Sequence, residues 1–339
     1  MRPLAVPARI AGVLVGLLAL ACVVLYLVPS NDYIFLPDPA HPVAPLVRVQ
    51  GGHTPTGPGG IYFVDVFERK ANMLESLFPF IHSGATLYPA SEIVPAGSTG
   101  AEVRQTDLRE MTLSQQVAAA VALRRLGYHV VATPDGVIVS QILAGTHADG
   151  TLQPLDVVAG ADGKRTPTIA SLETALEHVN PGATVTLRVR RGGKGLTIRV
   201  KTTPDPQQPR RAIIGFVPDQ GAAIKLPIRV SIDAGNIGGP SAGLAFALQL
   251  MEDLGHNVDR GYRVAATGEM ELNGTVAAIG GVKQKTYGVR DAKADVFLVP
   301  VAGGNAAEAK RYADGLRVIP VTSFAQALRA LAALPPKKP

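Results

Sequence analysis

Asn236-Ile237-Gly238-Gly239-Pro240-Ser241-Ala242-Gly243 is the stretch on which the fold and chemistry of this chain turn. The strand-like run Ile228 to Ile232 precedes it and an Ala/Leu-rich helical run from Ala242 to Leu254 follows, so Ser241 falls at a helix start. Unpaired amides and the positive end of a helix make that position an oxyanion-binding site. Across proteins a serine there is more often only an N-cap. Gly239-Pro240-Ser241-Ala242-Gly243 further fits the Gly-x-Ser-x-Gly elbow, whose acid and histidine follow the serine. Only His256 follows, fifteen residues on and near the end of the same helix. A histidine triad would therefore need an upstream histidine, and a different base is sought.

Downstream, Ala265 to Val276 contains Thr267-Gly268-Glu269, and Gly280-Gly281 opens a helical run from Val282 to Lys293. At about 100° per residue, Val282, Val289 and Lys285 share one face, whereas Lys283 and Arg290 share a separate polar flank. Lys285 is thus the lysine aimed inward, and Lys283 is expected to be solvated. Burial disfavours an ammonium and lowers its pKa toward neutrality, which fits a lysine to act as general base for a serine. The competing reading is a lysine that only snorkels past apolar neighbours.

Taken together, Gly-Pro-Ser-Ala-Gly, Thr-Gly-Glu and Gly-Gly-Val-Lys-Gln-Lys resemble the proteolytic domain of Lon-type serine proteases, over residues 212–334. The resemblance implies Ser241 as nucleophile, Lys285 as general base and Thr267 as a hydroxyl accompanying the lysine. The amides of Gly239 and Ser241 are the candidate oxyanion hole. Gly238 stands where energy-dependent bacterial members carry an acidic residue. Such domains resemble ring formers, so a homo-oligomeric ring is a candidate assembly. No Gly-x4-Gly-Lys-Ser/Thr occurs in the chain; Gly160-Ala161-Asp162-Gly163-Lys164-Arg165 has neither the spacing nor the hydroxyl.

Pro204 to Arg211 is short, polar and proline-dense, and reads as a linker over 204–211. Before it, strand signals at Val130-Val131, Gly136 to Val139 and Leu155 to Val158 precede a helical Ile169 to Val179. The alternating runs Thr184 to Val189 and Leu196 to Val200 then read as a hairpin closed by Arg191 to Gly195. Order and residues resemble a bacterial PDZ domain, except that Leu155 stands where a Gly usually precedes the aspartate and no clear carboxylate-binding loop precedes Gly136. The resemblance implies peptide capture by strand addition along Gly136, Val137, Ile138 and Val139, beside the helix. A PDZ-like spacer that binds nothing is the bland alternative. The helix Met111 to Leu126, ended by Gly127, is read as the leader of this unit, 111–203.

Leu46 to Val49 and Ile61 to Val66 read as strands of a small β-rich region over 29–110. Ahead of it, Ile10 to Val28 runs nineteen residues without a charge, enough to span the roughly 30 Å hydrocarbon core. Arg2 and Arg9 precede this transmembrane helix (10–28) and Asp32 and Asp38 follow, which puts the tail 1–9 in the cytoplasm and the body outside, on a single-pass plasma-membrane anchor. A cleaved signal peptide ending near Ala19-Leu20-Ala21 is the alternative.

Composition limits the rest. Of 339 residues 47% are hydrophobic and 18% charged, too apolar for a disordered chain. Cys22 is the single cysteine, which excludes internal disulfides and thiolate-cluster zinc sites. The net charge of +6 is scattered and lacks interleaved aromatics, so no nucleic acid is expected. The seven histidines show no ligand-spaced pair, and no metal or cofactor is implied. The expectation is an α+β chain of anchor, β-rich region, PDZ-like domain, Lon-like domain (212–334) and short tail (335–339). It resembles the bacterial PDZ-containing Lon-like membrane proteases, which implies an ATP-independent serine endopeptidase acting on extracytoplasmic proteins. The competing class is a membrane-anchored scaffold whose Lon-like domain is inactive.

Overall fold

The computed structural model describes residues 5–337 apart from 54, 56 and 95–98. Ala5–Leu27 is one helix, and its window Ile10–Leu27, of mean hydropathy 2.8, is long and apolar enough to cross a membrane, with none of it buried against the rest of the chain. The chain then enters a three-stranded antiparallel sheet in which Pro29–Pro37 lies between Val66–Asn72 and Thr86–Pro89.

The α+β class holds, but the units divide differently from the linear reading. The helix Gly243–Asp253 is buried along its whole length, so it needs cover all round. Its own sequence neighbourhood does not supply enough. Cover comes from a sheet ordered His41–Pro42, Gly60–Phe63, Arg263–Ala266, Val296–Pro300 and Arg317–Val321, parallel except at its first pair. Ile61 and Phe63 share one core with Leu244, Phe246 and Leu248, and Val47–Val49 pairs with Val230–Ile232. Much of the expected β-rich region is thus part of the unit that holds the helix Gly243–Asp253.

The helix predicted over Met111 to Leu126 runs from Gly100 to Arg125, opened by a Thr99/Glu102 capping box. Its buried run Val117 to Leu123 packs on Gly243–Asp253 rather than leading the PDZ-like sheet. Small residues decide this: Ala118, Ala119, Ala120 and Ala122 let the helices approach, and a Cβ on Gly243 would lie 2.8 Å from Ser114 Oγ.

The PDZ-like sheet has its own core, around Val137, Val139, Val158 and Leu187, under the helix Ile169–Leu176. Its hairpin Thr184–Arg191/Lys194–Lys201 closes through Gly192 and Gly193, both at positive φ as a two-residue primed turn requires. Leu155 holds φ 63°, so the position where a glycine was expected keeps the left-handed backbone without the residue that adopts it freely. Buried Asp156, paired with Arg191 at 2.6 Å, fixes the next residue.

Residues 204–211 do not separate the two units. The Asp205 amide donates to the Arg211 carbonyl across a closed turn, and the Arg211 side chain reaches Glu173 at 2.7 Å. Phe216–Lys225, expected in the catalytic unit, joins the PDZ-like sheet beside Val131–Ile142. The PDZ-like unit is therefore an insertion between Gly100–Arg125 and Val230–Ile232.

Candidate active site

Two helices and one strand end build the site. Ser241 lies in the turn before Gly243–Asp253, whose N-cap is Ala242 with no side-chain cap. Ser241 is not spent on capping. Lys285 sits one turn into Val282–Asp291, a helix entered through Gly281 at φ 67°. Its Nζ lies 2.5 Å from Ser241 Oγ and 3.4 Å from Thr267 Oγ1. Thr267, at the end of Arg263–Ala266, donates its hydroxyl at 3.2 Å to the Ser241 carbonyl, which also accepts from the Gly268 amide at 2.8 Å. Three segments remote in sequence thus converge on one amine.

Lys285 is 4% exposed. Burial pulls its pKa from 10.5 down to about 8, with the nearby charge of Asp65 pulling the other way. Snorkelling is excluded by this geometry, since the amine ends inside. Lys283 departs from expectation: rather than being solvated it donates to the Ala85 carbonyl at 2.8 Å, while Gln284 donates to Thr86 Oγ1. Together they hold the segment Gly84 to Thr86 on the helix Val282–Asp291.

The amide of Gly239 is not free for an oxyanion. It donates to the Asp107 carbonyl at 2.8 Å, because the turn leans on the helix Gly100–Arg125, where Ser114 Oγ also donates to the Pro240 carbonyl at 2.8 Å. The Ser241 amide finds no acceptor among the described residues.

Ser241 and Lys285 open onto a cleft of about 730 Å³, walled by Asp65 to Glu68, Arg104, Asp107 and the segments Asn236 to Ser241 and Ala278 to Gly281. Its carboxylates are crowded. Burial and neighbouring Asp107 raise Glu68 and burial raises Asp107, while outside the cleft wall burial with Asp107 and Glu269 pushes Glu110 up to about 7. Arg104, on the same wall, donates to the Asn236 carbonyl.

Asp65 and Asp107 were not singled out from sequence. Asp65 lies two residues beyond the strand Gly60–Phe63 that runs parallel to Arg263–Ala266, and no local pattern places it beside a lysine 220 positions later. Burial raises its pKa, reinforced by the Asp38 charge and a side-chain hydrogen bond with it; its Oδ1 has no partner. His41 Nε2 lies 3.0 Å from Asp38 Oδ2, so Asp38, His41 and Asp65 bring ligand-type atoms within 4.8 Å of one another. The histidine spacing gave no sign of that grouping.

Gly136, Val137, Ile138 and Val139 lie on the expected strand, but its outer edge is occupied. They pair in register with Gly221, Gln220, Asp219 and Pro218 of Phe216–Lys225. Gln220 Nε2 donates to the carbonyls of Gly136 (3.2 Å) and Pro167 (2.9 Å), and its Oε1 accepts from the Ile169 amide at 3.3 Å. The chain's own strand fills the groove between that edge and the helix Ile169–Leu176.

Comparison with known proteins finds both domains, with Phe216–Lys225 inside the Lon-type match although it pairs in the PDZ-like sheet. Residues 216–333 match the Lon protease (S16) C-terminal proteolytic domain, and residues 124–202 match the PDZ domain. Lon protease 2 of Bacillus subtilis is 34% identical over 118 residues, covering 35% of this chain and 20% of the relative. The Lon protease of Mesomycoplasma hyopneumoniae is 34% identical over 90 residues, 26% of this chain and 10% of the relative. The chain thus spans a fifth or less of the length of these relatives. The PDZ domain of the SdrC-like protein of Listeria innocua aligns over 26% of this chain and 97% of that one, at 23% identity and TM-score 0.24.

Proposed function

We propose, from a chain that carries a Lon-type proteolytic domain and a PDZ domain, an ATP-independent, membrane-anchored serine endopeptidase working through Ser241 and Lys285. The observation that carries this reading is the 2.5 Å contact between the Ser241 hydroxyl and a buried amine whose pKa is drawn down to about 8.

Neutral Lys285 takes the hydroxyl proton as Ser241 Oγ attacks a peptide carbonyl. The resulting oxyanion faces the Ser241 amide and the positive end of Gly243–Asp253. Collapse breaks the C–N bond, and the lysine ammonium protonates the leaving amine. Water then attacks the acyl-enzyme, gives its proton to Lys285, and Ser241 leaves with that proton restored. Thr267 holds the amine in line throughout and ties it to the Ser241 carbonyl.

The substrates are protein segments that reach the cleft outside the cytoplasm, an orientation supported by Arg2 and Arg9 before the apolar helix and Asp32 and Asp38 after it. Selection of chain ends by the PDZ-like unit requires Phe216–Lys225 to leave its edge first. Casein digestion by the full chain, its Ser241→Ala and its Lys285→Ala forms tests the reading. Each substitution is expected to lower the rate by roughly a thousandfold or more. Equal rates in all three, or none in any, favour the inactive scaffold.

A further inference from the structure

We infer that the turn Leu77 to Ile81 is a second membrane contact, seated in the headgroup boundary of the same bilayer that holds Ala5–Leu27; this rests on reading that helix as an anchor.

The turn is built beside the point where the chain leaves the helix. Met73 N donates to the Val28 carbonyl at 2.9 Å, Pro29 pairs with Asn72, and the short helix Met73–Leu77 packs on the end of Ala5–Leu27. A polar staple then fixes the turn from both sides. Glu75, 1% exposed, closes a capping box with Asn72, binds Arg69 at 2.8 and 2.5 Å, and lies 2.8 Å from His82 Nε2. Arg69 holds the Glu75 carboxyl down to about 2, so the staple stays ionised at any ordinary pH.

What this staple presents is apolar. Leu77, Phe78, Phe80 and Ile81 are 55, 42, 79 and 48% exposed, with the two phenyl rings edge-on at 5.9 Å. A rigid, contiguous apolar tip at a soluble surface marks a contact surface. Three features select lipid as its occupant: aromatic side chains, a setting at the exit of an apolar helix, and exposed Lys70 on the strand that leads into it, a cation that suits anionic headgroups.

Two attachments would set the height of the active site. Val66–Asn72 runs from the cleft wall at Val66 to the anchor at Asn72, seven residues or about 20 Å of strand. The cleft would then meet chain segments soon after they emerge from the bilayer.

The chain has no tryptophan, so one substitution provides a unique reporter. Full-length Phe80→Trp and, separately, Leu17→Trp are reconstituted in phosphatidylethanolamine/phosphatidylglycerol vesicles carrying nitroxides either near the headgroup or near the acyl terminus. Phe80→Trp is expected to emit blue-shifted, to be shielded from aqueous iodide and to lose emission to the shallow nitroxide; Leu17→Trp is expected to lose emission to the deep one. Iodide quenching of Phe80→Trp without lipid quenching, while Leu17→Trp responds to the deep label, overturns the contact and leaves the anchor standing. Shielding from iodide without lipid quenching means that protein covers the turn, and also overturns it. Failure of Leu17→Trp to respond removes the anchor and this inference with it.

Discussion

Lys285 Nζ stands 2.5 Å from the Ser241 hydroxyl inside the protein, and the burial that holds it there also lowers its pKa to about 8. Only the neutral amine accepts the serine proton. kcat/KM is therefore expected to rise about tenfold per pH unit below about 8 and to level off above it, because the free enzyme's base sets that limb. Lys285→Arg, cationic at every accessible pH, is expected to be inactive. A flat profile through neutral and mildly alkaline pH would remove lysine as the base.

Asp65 acts on the same limb from the other side, since its charge favours the Lys285 ammonium. Asp65→Asn should shift the midpoint of the pH profile downward while leaving the plateau rate close to wild type. The midpoint is the informative readout, because a merely structural loss would lower the plateau instead. An unmoved midpoint would mean that Asp65, whose own pKa burial and Asp38 raise, is uncharged in the working enzyme.

Residue type and spacing made the dyad legible, because Gly-Pro-Ser-Ala-Gly and Gly-Gly-Val-Lys-Gln-Lys are local patterns and the helical face of Lys285 follows from its own neighbours. Partners set by tertiary pairing were not legible. Asp65 reaches Lys285 through the parallel register of Gly60–Phe63 on Arg263–Ala266, and Asp107 takes the Gly239 amide through helix packing. Proline density at 204–211 was read as separation, although hydrogen bonds across the turn return the chain to the PDZ-like sheet. Strand signals at Val130-Val131 and Gly136 to Val139 fall within the one strand Val131–Ile142 but are silent on which segment covers its open edge.

The buried carboxylates and the buried lysine are expected to move stability in opposite directions with pH. Glu110 and Glu252 have folded pKa values raised from 4.5 to about 7 by burial, so their protonated forms suit the fold. Their stabilising contribution is complete below about 4.5 and is lost as pH rises through about 7. Lys285, lowered from 10.5 to about 8, penalises the fold below about 8 and is relieved as pH rises toward 10.5. Lys285→Met keeps the side-chain volume without the charge, and at pH 7 should gain up to about 3 kcal/mol in denaturant unfolding. A loss instead would show the ammonium to be well accommodated.

The occupied PDZ-like edge yields the last expectation. An incoming carboxy-terminal peptide must displace Phe216–Lys225, whose ladder on Val131–Ile142 is reinforced by Gln220 bonding Gly136, Pro167 and Ile169 at once. Gln220→Ala removes those side-chain bonds and leaves the backbone ladder. At a net value near 1 kcal/mol for such hydrogen bonding, peptide affinity should rise by roughly five- to tenfold. Fluorescence anisotropy of labelled carboxy-terminal peptides on the full chain measures it. Tight binding to wild type, unchanged by Gln220→Ala, would show that peptides dock elsewhere. Binding that strengthens while casein cleavage also changes would connect this strand to the Ser241 turn, since the chain passes from Lys225 through Val230–Ile232 directly into Asn236 to Ser241.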